Sequence, residues 1–134
     1  MHATPAWLTD LDQAKLDAAS RHEAILLSFS GSDWCIPCIR LHKEIFDSEA
    51  FTSYASEHLV LVNADFPRLK KNQLSKEQTA KNEAMADQYN QKGTFPLTVL
   101  LSPEGKIIKQ WQGYPNETPE QFINEIKEVI ESNK

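Results

Sequence analysis

The sequence predicts a single α/β domain, a mixed sheet of four to five strands with helices on both faces. Three features carry that expectation. Short apolar, β-compatible runs alternate with stretches of helical periodicity through the first two thirds of the chain. The last two such runs, PLTVLLS (96–102) and IIKQWQG (107–113), are separated only by the turn residues PEGK, which makes them antiparallel. Finally, 134 residues with 40 % hydrophobic and 25 % charged side chains suit one globular domain over 1–134, large enough to bury a core without disulfides.

Taken in order, Thr9 or Asp10 caps a first helix whose apolar positions are Leu11, Ala14, Leu16 and Ala18. AILLSFS (24–30) reads as a buried strand, ended by Gly31 and Ser32. From Cys35 the pattern turns helical. Cys38, Leu41 and Ile45 share one face, while Arg40, Lys43, Glu44 and Asp47 point elsewhere. SEAFTSYASEH (48–58) fits a short further helix, and LVLVNAD (59–65) a second buried strand. FPRLKKNQLS (66–75) is a loop. Ser75 and Gln78 are spaced as a capping box for a helix through Ala80, Ala84, Met85 and Tyr89 that stops at Gly93. After the antiparallel pair, Asn116 or Thr118 opens a closing helix with Phe122, Ile126, Val129 and Ile130 on its apolar side.

The charge balance of −5 and the scatter of basic residues argue against nucleic-acid binding. The densest basic cluster, RLKK (68–71), reads as a solvated loop without the interleaved aromatics that stack bases. No apolar stretch approaches the roughly 20 residues of a membrane helix. MHATPAWLTD lacks the charged and apolar regions of a signal peptide. This suits a cytoplasmic protein or the mature part of an exported, envelope or periplasmic one. A monomer is expected.

Both cysteines lie in GSDWCIPC (31–38). Cys35 falls where a strand hands over to a helix, so its sulfur faces unpaired amide N–H groups and the positive end of the helix dipole. Both favour a thiolate, the nucleophilic form. Cys38 follows almost one turn later, at a Cα separation of about 5–6 Å that a disulfide tolerates. Pro37 is accepted in the first turn, where its missing N–H costs nothing. This arrangement permits an exposed attacking sulfur and a sheltered resolving one. Zinc needs four ligands. Here His42 offers at most a third, and His2, His22 and His58 are scattered, so no metal is expected. Covalent haem would need a histidine directly after Cys38, where Ile39 stands. Two buried structural thiols remain the plain alternative to a redox pair.

The segments FSGSDWCIPC, VNAD and GTFPLTVLLSPEGKII resemble the thioredoxin superfamily from about Trp7 to Ile130. The likeness is strongest to thioredoxin-like proteins of bacterial cell envelopes and to protein-disulfide-isomerase-like domains. It implies a thioredoxin-like fold and a thiol–disulfide oxidoreductase, acting as reductase or isomerase of protein disulfides. Cys35 would be the nucleophile and Cys38 the resolving thiol. Pro96 matches the family's cis-proline, and Gly113 the small residue beside the substrate groove. Trp34, Ile36, Pro37, Phe95 and Tyr114 would form an apolar rim, where the backbone of Phe95 could pair with a substrate strand. No cofactor beyond the Cys35–Cys38 disulfide is implied. The partners would be proteins carrying disulfides or thiols and an upstream dithiol reductant. A binding or chaperone-like module with idle thiols, or a redox sensor with one client, is the alternative.

Two departures from the family stand out. Thioredoxins bury a carboxylate in the strand before the motif, where this chain has Ser28. The family's lysine on the next strand is also missing, with Leu61 near that place. Cys38 would then lose its proton to water, to a neighbour such as Asp33 or to the partner, and thiol release would be slower than in acid-bearing relatives. The 66–78 segment is longer than the fold requires and reads as a tolerated insertion, with a partner-specific surface as the alternative.

Overall fold

A computed structural model describes residues 5–134; Met1 to Thr4, and with them His2 and the start of the predicted domain, lie outside the described residues. Strands β1 (Trp7–Leu8), β2 (Ala24–Ser30), β3 (Leu59–Asp65), β4 (Leu97–Leu101) and β5 (Ile107–Gln112) form one sheet in the order β1-β3-β2-β4-β5. β2 runs parallel to β3, with Leu27 opposite Val62 and Ser28 opposite Asn63. β4 and β5 return antiparallel. The sheet is mixed, as the PEGK turn requires. β1 was not foreseen, because two residues carry no alternation to read; it pairs parallel to β3 at Trp7–Leu61.

The central strands are apolar throughout because helices cover both faces. Successive side chains of β2 go to opposite sides. Ile25, Leu27 and Phe29 join Leu11, Ala14, Ala18, Met85 and Tyr89 on the face covered by α1 (Leu11–Arg21) and α4 (Lys76–Tyr89). Ala24 and Leu26 join the opposite core. There α2 (Ile36–Leu41), a π-helical turn (His42–Phe46), α3 (Glu49–His58) and α5 (Pro119–Ser132) supply Leu41, Ile45, Phe46, Phe51 and Phe122. Phe122 is wholly buried among Phe46, Phe51 and Trp111. Its truncation to alanine would cost about 3–5 kcal/mol.

Several local expectations are corrected. Leu16 is exposed, since Leu11, Ala14 and Ala18 define the buried stripe of α1 and position 16 turns away from it. Asp10, not Thr9, caps α1, accepting from the amides of Asp12 and Gln13. α4 stops at Tyr89 rather than Gly93. The amide side chain of Asn90 donates to the Thr94 carbonyl and accepts from the Thr94 N–H, which closes the chain before Gly93 is reached. Only half of the Ser75 capping box exists. Ser75 accepts from the Gln78 N–H, but the Gln78 side chain donates to the Thr9 carbonyl and to Asn82. The complete box sits at Thr118–Gln121, the start of α5. The predicted 35–47 helix breaks after Leu41 into the π turn, closed by the Asp47 N–H bonding to the His42 carbonyl at 2.8 Å. Among the described residues, no helix is long and apolar enough to cross a membrane.

Candidate active site

β2 delivers the chain to a tight turn at 31–34, and α2 leaves it. Cys35 is the N-cap of α2, with extended φ and ψ, and its sulfur accepts the Cys38 N–H at 3.3 Å. One of the helix's open donors therefore points at the sulfur expected to ionise. Pro37 lies in the first turn, where no intrahelical N–H is needed. Cys35 and Cys38 are joined in a disulfide, their Cα atoms 5.2 Å apart. The Gly31 N–H approaches the Cys38 sulfur at 3.5 Å. The expected contrast of exposed and sheltered sulfurs is weak in this oxidised form, with Cys35 5 % and Cys38 3 % exposed. Ile36 beside them is 66 % exposed and Pro37 is also at the surface. His42 turns to the rings of Trp7 and Phe46.

The Phe95–Pro96 peptide is cis. Phe95 meets the edge of Trp34 at 5.5 Å and of Phe66 at 5.4 Å, which brings the Pro96 loop up to the cysteine motif. The Pro96 carbonyl accepts from the Gly113 N–H at 2.9 Å. Gly113 has φ +75, a conformation that side chains disfavour, although a Cβ there would meet nothing within 4 Å. Backbone shape therefore accounts for this glycine better than crowding does. Tyr114 sits at the far flank. Its hydroxyl donates to Glu44 at 2.6 Å, and its ring lies under the Arg40 guanidinium at 4.4 Å. Arg40 pairs with Glu44 at 3.0 Å. The Arg40 hydrogen bond is the largest cause holding the Glu44 carboxyl below its usual range.

Three residues that carry the near flank, Gly31, Asp65 and Arg68, were not read as site residues, and Asp33 was read only as an acceptor for the Cys38 proton. Gly31 was taken only as a strand end, yet a Cβ there would stand 2.3 Å from the Trp34 ring. Trp34 uses that space and donates its indole N–H to the Phe66 carbonyl at 2.7 Å. Asp65, at the end of β3, accepts from the Ser32 N–H and hydroxyl and from the Phe66 N–H. Asp33 reaches the opposite way and accepts from the Arg68 and Leu69 amides and the Asn72 side chain at 2.9 to 3.0 Å. The Arg68 guanidinium lies 3.6 Å from the centre of the Trp34 ring. The 66–75 loop, with its 3₁₀ turn at Lys70–Asn72, is thus fastened to the cysteine motif itself. The aspartate-before-tryptophan spacing carried no warning of this, because the partners lie 32 to 39 residues away.

Asp33 is committed to the loop. Its bond from the Arg68 amide is the largest cause lowering its pKa, which makes it a poor acceptor for the Cys38 proton. Ser28 is buried in β2 between Asn63 and Thr98, with no carboxylate in that strand. A cavity of about 380 Å³ reaches Cys38 from the other side, between Ser30, Ser32, Asn63, His42 and Lys43. It offers room for water next to the second sulfur.

Residues 11–130 match the family model of the thioredoxin-like domain. The disulfide bond reductase DsbH of Chlamydia pneumoniae is 34 % identical over 120 residues, which cover 90 % of this chain and 68 % of that protein. The thioredoxin-related protein DsbJ of the same organism is 26 % identical over 94 % of this chain, although the match spans only 35 % of DsbJ. A solved structure of a DsbH oxidoreductase superposes with a TM-score of 0.86 at 31 % identity, covering 97 % of this chain and 87 % of that one. With its cysteine pair in that frame, the chain belongs to the thioredoxin-like family and is a thiol–disulfide oxidoreductase.

Proposed function

We propose that this chain reduces disulfide bonds in other proteins, with Cys35 as nucleophile and Cys38 as resolving thiol. The observation that carries the reading is the Cys38 amide aimed at the Cys35 sulfur at the start of α2. In the reduced protein that donor and the helix dipole favour the Cys35 thiolate over the thiol. The thiolate attacks one sulfur of a substrate disulfide. The Cys35–substrate bond forms, the substrate S–S bond breaks, and the released thiolate takes a proton from solvent. Cys38 then gives its proton to water in the adjoining cavity and attacks the Cys35 sulfur. The Cys35–Cys38 bond forms and the second substrate thiol leaves. Two electrons pass to the substrate, and a dithiol of a partner protein returns them by the reverse exchange. The reductase relative at 34 % identity supports this direction.

The rim of Trp34, Ile36, Pro37, Phe95 and Pro96 would receive the substrate chain, with Gly113 holding the backbone beside Pro96. Reduction of a disulfide-bonded polypeptide such as insulin, driven by a small dithiol, tests the activity. Cys35→Ser abolishes it, and Cys38→Ser accumulates mixed disulfides with substrate. Alkylation of Cys35 in the reduced protein should titrate well below the roughly 8.5 of a free cysteine. A midpoint at the free-cysteine value, with no insulin reduction, overturns the reading.

A further inference from the structure

The flank of the motif formed by residues 66–75 combines three features. First, it is held in place: Asp33 binds two of its amides and Asn72, Trp34 binds the Phe66 carbonyl, and Gln73 donates to the Pro67 carbonyl. Second, its cations are uncommitted. Arg68 is stacked on Trp34, and among the described residues neither it nor Lys70 or Lys71 has a carboxylate partner. Third, the carboxylates nearest the motif on this side already accept hydrogen bonds from within the protein. Asp33 and Asp65 spend their oxygens on loop and turn donors. What faces outward is apolar or positive: Ile36 at 66 % exposure, Leu69 at 47 %, and the three cations. In a chain of net charge −5 this is a local reversal of sign beside the nucleophile.

We infer that this flank is a docking wall for substrate polypeptides whose disulfide is bordered by acidic residues. The proposal rests on the reductase reading and adds the class of substrate to it. Ile36 and Leu69 take apolar side chains near the scissile disulfide. Arg68, held flat by Trp34, meets a carboxylate with little further loss of side-chain freedom, and Lys70 and Lys71 extend the positive potential along the bound chain. A charged wall of this kind acts chiefly on encounter and orientation, so it moves KM and kcat/KM more than kcat.

The test uses two synthetic peptides with the same disulfide-closed ring, one flanked by Asp and Glu, the other by Lys. Reduction of neutral hydroxyethyl disulfide reports the underlying chemistry separately. The intact protein should favour the acidic peptide in kcat/KM by about tenfold at low salt, and the preference should shrink at high salt. In the triple variant R68Q/K70Q/K71Q the ratio between the two peptides should fall towards unity. That ratio is taken within one protein, so a general loss of activity cancels. In the reduced protein, Cys35 alkylation by anionic iodoacetate relative to neutral iodoacetamide should fall in parallel. Equal use of both peptides by the intact protein overturns the proposal. So does a preference that survives the triple variant, or self-association of the chain through this face. Failure to reduce hydroxyethyl disulfide would instead sink the reductase reading.

Discussion

Two arginines stack on aromatic rings on either side of the cysteine pair, and they are placed differently in one respect. On the Tyr114 side, Arg40 covers the ring at 4.4 Å and is neutralised by Glu44, which also accepts the Tyr114 hydroxyl. On the Trp34 side, Arg68 covers the ring at 3.6 Å, and the nearby Asp33 takes its backbone amide rather than its guanidinium. One flank is a closed ion-pair network. The other is a positioned charge with its counter-ion turned away. A stacked arginine alone therefore says little about the surface potential; where the nearest carboxylate spends its oxygens decides it.

Among changes to the two flanks, the largest effect expected is that of Gly31→Ala. A methyl group 2.3 Å from the Trp34 ring displaces the indole, with its bond to the Phe66 carbonyl and its stack with Arg68. Overpacking of this sort costs about 1–3 kcal/mol, visible as a lowered denaturant midpoint. Tyr114→Phe on the other flank, which loses one exposed hydroxyl bond, should shift the midpoint far less. If the two variants are equally destabilised, the near flank is not the more tightly built.

Next comes release of the loop. Asp33→Ala should speed hydrogen exchange of the Arg68 and Leu69 amides by about tenfold or more while leaving the β2 and β3 amides protected. Acid should do the same. The Asp33 pKa is lowered in the folded protein, so its contribution is complete above the ordinary carboxylate value of about 4 and is lost as pH falls through the lower folded value. Amides that stay protected in Asp33→Ala would show that the clamp is not what orders the loop.

A smaller effect is expected of Glu44→Gln, which frees Arg40 and makes the two flanks alike. Its reading is a modest rise, about twofold, in the iodoacetate-to-iodoacetamide ratio at Cys35. Ser28→Asp buries a carboxyl in β2 and should lower the denaturant midpoint through desolvation, so its informative reading is kinetic. This restores a carboxyl in the strand before the motif and should speed release of substrate from the mixed disulfide. Unchanged stopped-flow resolution rates would show that water in the cavity beside Cys38 already suffices.

Much of the frame was legible because it rests on local periodicity and short turns. The apolar run 24–30, the PEGK turn and the Thr118 cap each act within a few residues. The Cys35 position was legible for the same reason, as an N-cap with a proline two residues later. Position 16 was misread because leucine is apolar wherever it sits, and only the sheet decides which stripe of α1 is covered. The π turn at His42–Phe46 and the two-residue β1 left no pattern to find. The clamp between residues 31–34 and 65–72 was invisible for a different reason. It is made of polar groups far apart in sequence, and RLKK read as an inert solvated loop because charge alone does not reveal a stacked guanidinium.

The way the loop is fastened also makes it a removable part. Its sockets, Asp33 and Trp34, belong to the turn, while the sheet contributes Asp65 and Phe66 at its very margin. If this flank docks substrate as proposed, a segment of other composition between Leu69 and Ser75 that keeps the Asn72 bond to Asp33 would change which substrates are favoured without touching a strand pairing.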